Sequence, residues 1–263
     1  MSETDGAVLN SGSHSADNIL RVSLDIGENI LRNGGEVHRV EDTITRICRS
    51  QGAAHVEVFS ITSLIVASVR MDDGTYSQQM RRVYAASNNF TVVESLNQIS
   101  RALCKGEIDI DEAEKRVLAG KKEKPYSALI IYIASVVAAG CFAVFFGGNL
   151  RDGLCAALAG LVVTLMTRKF TSANQMVLTA LTSCIAGIIG ITLVKIGLGC
   201  NADKVMIGTI MLMIPGLALG NSLRDMLCGD VISGALRLIQ SLLLAVVIAF
   251  GFAVAITIMG GVA

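Results

Sequence analysis

Met211 to Leu238 reads MLMIPGLALGNSLRDMLCGDVISGALRL. An apolar run enters this stretch and breaks at Pro215-Gly216. It then gives way to Asn221, Arg224, Asp225 and Asp230 before a second apolar run begins. Proline lacks a backbone N–H and clashes with the preceding turn, so a helix kinks or ends there. In hydrocarbon a broken helix survives only where protein or a water-lined cavity satisfies the freed backbone groups. Polar side chains beside such a break are costly, and they mark a solute or ion path. The Pro-Gly lies about two helical turns before the first charge, inside the apolar run. That favours a broken membrane helix over a loop with ordinary charges between two spans.

The rest of the composition agrees with a membrane protein. Of 263 residues 52% are hydrophobic, and the mean hydropathy is +0.59. Positive and negative side chains balance at 22 each, so no polyanion-binding patch is implied and nucleic acid is not an expected partner. The apolar residues are segregated: residues 127–263 hold nearly every long uncharged run. The expected organisation is a disordered tail over 1–15, a cytosolic α+β domain over 16–126 and a transmembrane domain over 127–263. Seven cysteines are scattered singly without a CxxC pair, a pattern of buried thiols rather than of a disulfide framework or zinc site. The N-terminus has no charged-then-apolar leader pattern, so the first domain is expected to stay in the cytosol.

Within the first domain, apolar residues at helical spacing predict a helix from Ala16 to Arg32, ended by Asn33-Gly34-Gly35. A second helix is predicted from Glu36 to Gln51, with Val37, Val40, Ile44 and Ile47 on one face. Ala54–Phe59, Ser63–Val69 and Thr75–Tyr84 read as strands, with Asp72-Asp73-Gly74 as a hairpin turn. Helical character returns at Asn89–Leu103 and Asp111–Gly120, and Lys121–Pro125 is a charged break.

Five transmembrane helices are expected, near 127–146, 153–167, 176–194, 205–220 and 231–259, the fourth broken at Pro-Gly. The second reaches only about 22 Å and is rich in Ala and Gly, as suits a helix shielded by close neighbours. Basic residues concentrate before the first span, between the second and third, and between the fourth and fifth. This places the N-terminus in the cytoplasm and the C-terminus outside the bacterial inner membrane. An odd number of spans suits half of an inverted-repeat transporter whose other half is a separate chain.

Several residues could carry chemistry. Arg224 offers a fork for a carboxylate, and Asp225 or Asp230 could carry a proton; alternatively Arg224 pairs with one of these aspartates and anchors a loop. Asp152 reads as a surface turn or an exit gate. Asn174 and Gln175 open the third span, as a helix start or as substrate contacts. Arg237 and Gln240 lie three apart on one helical face, where Arg237 can snorkel. His38 with Glu41 and Asp42 is a solvated face rather than a metal site, and no cofactor is implied. No P-loop, GxGxxG or G-x-S-x-G is present.

Two stretches resemble the signatures of the threonine/serine exporter (ThrE-like) family, in particular its shorter YjjP-like branch. They are GGEVHRVEDTITRICRSQG (Gly34 to Gly52) and IPGLALGNSLRDMLCGDVISGALRL (Ile214 to Leu238). The resemblance implies export of threonine and serine, or of a dicarboxylate such as succinate, together with a second small membrane protein. It also implies transport roles for Pro215, Gly216, Asn221, Arg224, Asp225, Gly229 and Asp230, and it includes Arg39 and Glu41 in the soluble-domain motif. The expected function is therefore a non-enzymatic exporter subunit that contacts a small polar metabolite and the lipid bilayer. A homo-oligomer is compatible with it. The alternatives are a membrane-anchored enzyme with a cytosolic catalytic domain and a regulatory or assembly subunit.

Overall fold

The structure is a computed structural model, and it describes residues 15–84, 87–120, 126–170 and 174–260. The predicted tail before residue 15 and the charged break at 121–125 lie outside the described residues. Two compact units are present: residues 1–125 with 224–234, and residues 126–223 with 235–263. The segment at the heart of the quoted stretch thus belongs to the first unit.

That unit contains α1 (Ala16–Arg32), α2 (Val37–Ser50), β1 (Ala53–Ile61), β2 (Leu64–Met71), β3 (Tyr76–Arg82), α3 (Phe90–Cys104) and α4 (Ile110–Gly120). The strands form an antiparallel sheet in the order β1-β2-β3, with Phe59 opposite Val66 and Val66 opposite Met80. Side chains alternate across a strand, and so Ile65, Ala67 and Val69 of β2 are buried under α1. Leu20, Leu24, Ile26 and Ile30 of α1, with Val40, Ile44 and Ile47 of α2, complete the core. Helix α1 stops where Gly34, at φ 94°, lets Gly34 N–H and Gly35 N–H return to the carbonyls of Leu31 and Ile30.

The second unit contains α5 (Ala128–Phe145), α6 (Leu150–Lys169), α7 (Gln175–Lys195), α8 (Ala202–Ile210) and most of α9 (Gly216–Leu227) and α10 (Val231–Ile258). Among the described helices, α5, α6, α7 and α10 are long and apolar enough to cross a membrane. Helix α6 is longer than expected, 20 residues rather than the charge-free 153–167. Arg151, Asp152, Arg168 and Lys169 lie within its end turns, because charge at a terminus does not end a helix.

The expected span at 205–220 is two short helices. Helix α8 ends at Ile210, whose carbonyl accepts from both Met213 N–H and Ile214 N–H, and α9 begins after Pro215. At about 1.5 Å per residue neither reaches across a hydrocarbon core of about 30 Å. Helix α9 continues past Gly220 to Leu227, so Asn221, Arg224 and Asp225 are helical rather than in a loop.

Small residues set the spacing in this unit. A Cβ on Gly208 of α8 would lie 2.6 Å from the Ala139 carbonyl oxygen of α5, and one on Gly160 of α6 would lie 2.7 Å from Ala139 Cβ. Glycine and alanine thus let the backbones approach without a hydrophobic drive from water. Gly208→Ala is expected to cost about 1–3 kcal/mol, because the obstructing atom is backbone and must move. Thermal unfolding of the detergent-purified chain would show it as a lowered midpoint.

Candidate functional site

The polar centre of the first unit is built from the start of α2, the end of β1 and residues 224–234. Glu36 is the N-cap residue of α2, and its Oε1 accepts from Arg224 Nη1 at 2.9 Å. The Glu36 side chain is 15% exposed and that of Arg224 64%. One turn further along α2, Glu41 Oε1 accepts from Ser60 N–H at 2.7 Å and Ser60 Oγ–H at 3.1 Å. The Ser60 carbonyl in turn accepts from Ser233 Oγ–H at 3.3 Å. Ser60, Asp225 and Ser233 are all buried.

Gly229, at φ 101°, ends α9. Its N–H reaches the Met226 carbonyl and Asp230 N–H reaches that of Asp225, closing the helix before α10 begins at Val231. This turn sets Asp230 close enough to Glu41 for their charges to interact. Burial is the main force pushing the Glu41 carboxyl above its ordinary 4.5; the two Ser60 hydrogen bonds oppose it, Asp230 reinforces it and His38 opposes it. Asp230 Oδ2 is buried and accepts no hydrogen bond among the described residues. The described residues hold no group of three or more His, Cys, Asp or Glu placed to bind a metal ion. What the centre offers is a largely exposed guanidinium paired with one carboxylate, and a half-buried carboxyl whose protonated form burial favours.

The family model described as "Putative threonine/serine exporter" matches residues 21–259. The chain belongs to the threonine/serine exporter family. Among curated proteins it is similar to the "Probable succinate transporter subunit YjjP" of Klebsiella aerogenes. The two are 23% identical over 247 residues, covering 92% of this chain and 94% of that protein. No solved structure matches. Membership, with four membrane-length apolar helices among the described residues, makes the chain a multi-pass membrane protein of a transporter family.

In this exporter-family chain Glu41, Arg224, Asp225, Gly229 and Asp230 belong to the first unit, where Glu41 lies within reach of the Asp230 charge. Arg39 lies exposed on α2. Pro215, Gly216, Asn221, Asp152, Asn174, Gln175, Arg237 and Gln240 belong to the second unit. The partner of Arg224 is Glu36, not the neighbouring Asp225 or Asp230 weighed from the sequence. Asn174 caps α7, accepting from Met176 N–H at 2.9 Å, and Gln175 is that helix's first residue. All seven cysteines are free thiols; Cys48 and Cys155 are buried within the protein, and Cys141 and Cys184 lie in the membrane-length helices α5 and α7.

Asp152 is fully buried rather than part of a surface turn. Its carboxylate accepts from the backbone N–H groups of Asn149, Cys200 and Asn201 and from the Asn201 side-chain amide, at 2.6–3.0 Å. It clips the start of α6 to the residues before α8. Glu36, Ser60 and Ser233 were not singled out from the sequence. Glu36 sits inside the first signature beside Gly34-Gly35, which was the available signal; nothing local marks the serines.

Two outcomes follow from this chemistry. Asp152→Ala leaves the Cys200 and Asn201 amides without their acceptor, each costing about 1–3 kcal/mol, so the purified chain is expected to unfold at a distinctly lower temperature. For Glu41, a folded-state pKa above the unfolded 4.5 means that its stabilising effect is full below pH 4.5 and is lost as pH rises through the raised value. Glu41→Gln should remove that part of the pH dependence. The check is the melting temperature of wild type minus that of the mutant from about pH 4 to 8, which should fall as pH rises above 4.5 and level off once pH has passed the raised value.

Proposed function

We propose that this chain is a subunit of a secondary exporter that moves small carboxylate-bearing metabolites out of the cytoplasm. The substrates are threonine and serine or a dicarboxylate such as succinate, and a second small membrane protein completes the pathway. One observation carries the reading: Arg224, largely exposed and in a family signature, already holds a carboxylate, that of Glu36. The family match and the likeness to a protein described as a succinate transporter subunit support it.

In this reading residues 16–126, with 224–234 in the same compact unit, form a cytosolic domain, and the rest of 127–263 forms the transmembrane domain, after a tail over 1–15. Helices α8 and α9 together supply the fourth of five crossings, with Pro215 and Gly216 at their break. The N-terminus faces the cytoplasm and the C-terminus lies outside the inner membrane, as the basic residues favour. Arg224 binds the substrate carboxylate and Asp230 or Asp225 carries a coupling proton. Asn221 and Gly229 support the turn-bearing segment on either side. Asp152, Asn174 and Gln175 hold the helix ends.

Arg224→Ala is expected to abolish efflux of labelled threonine, serine or succinate from cells that also make the partner, with the variant still present in the membrane fraction. Efflux at the wild-type rate would remove Arg224 from the mechanism.

A further inference from the structure

Glu36 is fixed at the start of α2 and mostly buried, whereas Arg224 is 64% exposed. One partner is anchored and the other can swing. Glu36 engages a single guanidinium nitrogen, Nη1. Arginine presents five N–H donors in a planar fork, so most of this donor set is not used by Glu36. An ion pair this exposed on one side is held weakly and exchanges readily.

When a ligand opens the pair, it meets a cation and an anion that each need a new partner. A group left buried without one opposes binding. An α-amino acid carries a carboxylate and an ammonium on the same carbon: the first replaces Glu36 on Arg224 and the second replaces Arg224 on Glu36. Both charges are then matched. A dicarboxylate matches Arg224 alone and brings its remaining negative charge against Glu36. Like charges set opposite one another at a binding surface select against the wrong ligand.

The geometry points to Glu36 as a specificity-determining residue that makes this site choose a zwitterionic α-amino acid over a dicarboxylate. It rests on Arg224 being the carboxylate site, and the experiment separates the two claims. Threonine and succinate are titrated separately, by calorimetry, into the full-length chain in lipid nanodiscs. Wild type is expected to bind threonine about tenfold more tightly than succinate. Glu36→Gln should weaken threonine and strengthen succinate, each by about tenfold, and Glu36→Ala should repeat the reversal should the glutamine variant not fold. Arg224→Ala should lose both ligands.

Unchanged selectivity in both Glu36 variants, while Arg224→Ala still loses both ligands, overturns the role of Glu36 and leaves the carboxylate site standing. Equal strengthening of both ligands makes Glu36 a plain competitor and also overturns selection. Wild type that fails to bind threonine, or that prefers succinate, does the same. Unaltered binding by Arg224→Ala removes the carboxylate site itself.

Discussion

An amide N–H without an acceptor is expensive in a dry interior, and in hydrocarbon every backbone group must be satisfied by protein. The second unit is shaped by that constraint. Where the chain is a continuous helix, the ladder satisfies itself, as in α5, α7 and α10. Where it turns, something else must serve. Asp152 does so before α8, taking the Cys200 and Asn201 amides on one carboxylate. After α8 the Ile210 carbonyl accepts twice, and Pro215 brings no N–H to satisfy. With these turns closed by the chain itself, glycines at 140, 153, 160 and 208 let the helices meet at backbone distance.

The first unit meets a different problem, that of keeping charge partly buried and still useful. Glu41 accepts two hydrogen bonds from Ser60, which stabilise its ionised form while burial and Asp230 oppose it. Glu36 and Arg224 neutralise one another at the rim, where exchange is cheap. Burial thus favours the protonated form of the Glu41 carboxyl, while Arg224 keeps guanidinium N–H groups beyond the one that meets Glu36. The Gly229 turn sets these parts in place: the left-handed backbone lets α9 stop and α10 start within three residues, and Asp230 is carried to the Glu41 side.

Helices with a strong apolar stripe were legible almost to the residue. The reading of α1 as Ala16 to Arg32 matches its observed limits, because Asn33-Gly34 ends the ladder for a local steric reason. The hairpin between β2 and β3 was equally plain: Gly74 takes φ 87° and Asp73 accepts from Thr75 N–H. Charged residues do not mark helix ends here: α6 runs through Arg151, Asp152 and Arg168, and α9 through Arg224 and Asp225, since a charge at a helix end costs little when it lies near solvent or finds a partner.

The sequence by itself determined which segments are apolar helices, which are amphipathic, where the strands turn and where Pro215 interrupts the chain. These are matters of period, backbone freedom and missing donors, all settled within a few residues. Only the tertiary structure decided that Arg224 pairs with Glu36, 188 residues away in the chain, and that Asp152 is a buried clip. Adjacent side chains on a helix point in different directions, so Asp225 was near in sequence without being the partner. Which carboxylate meets which cation depends on how distant segments pack, and a single segment carries no record of that.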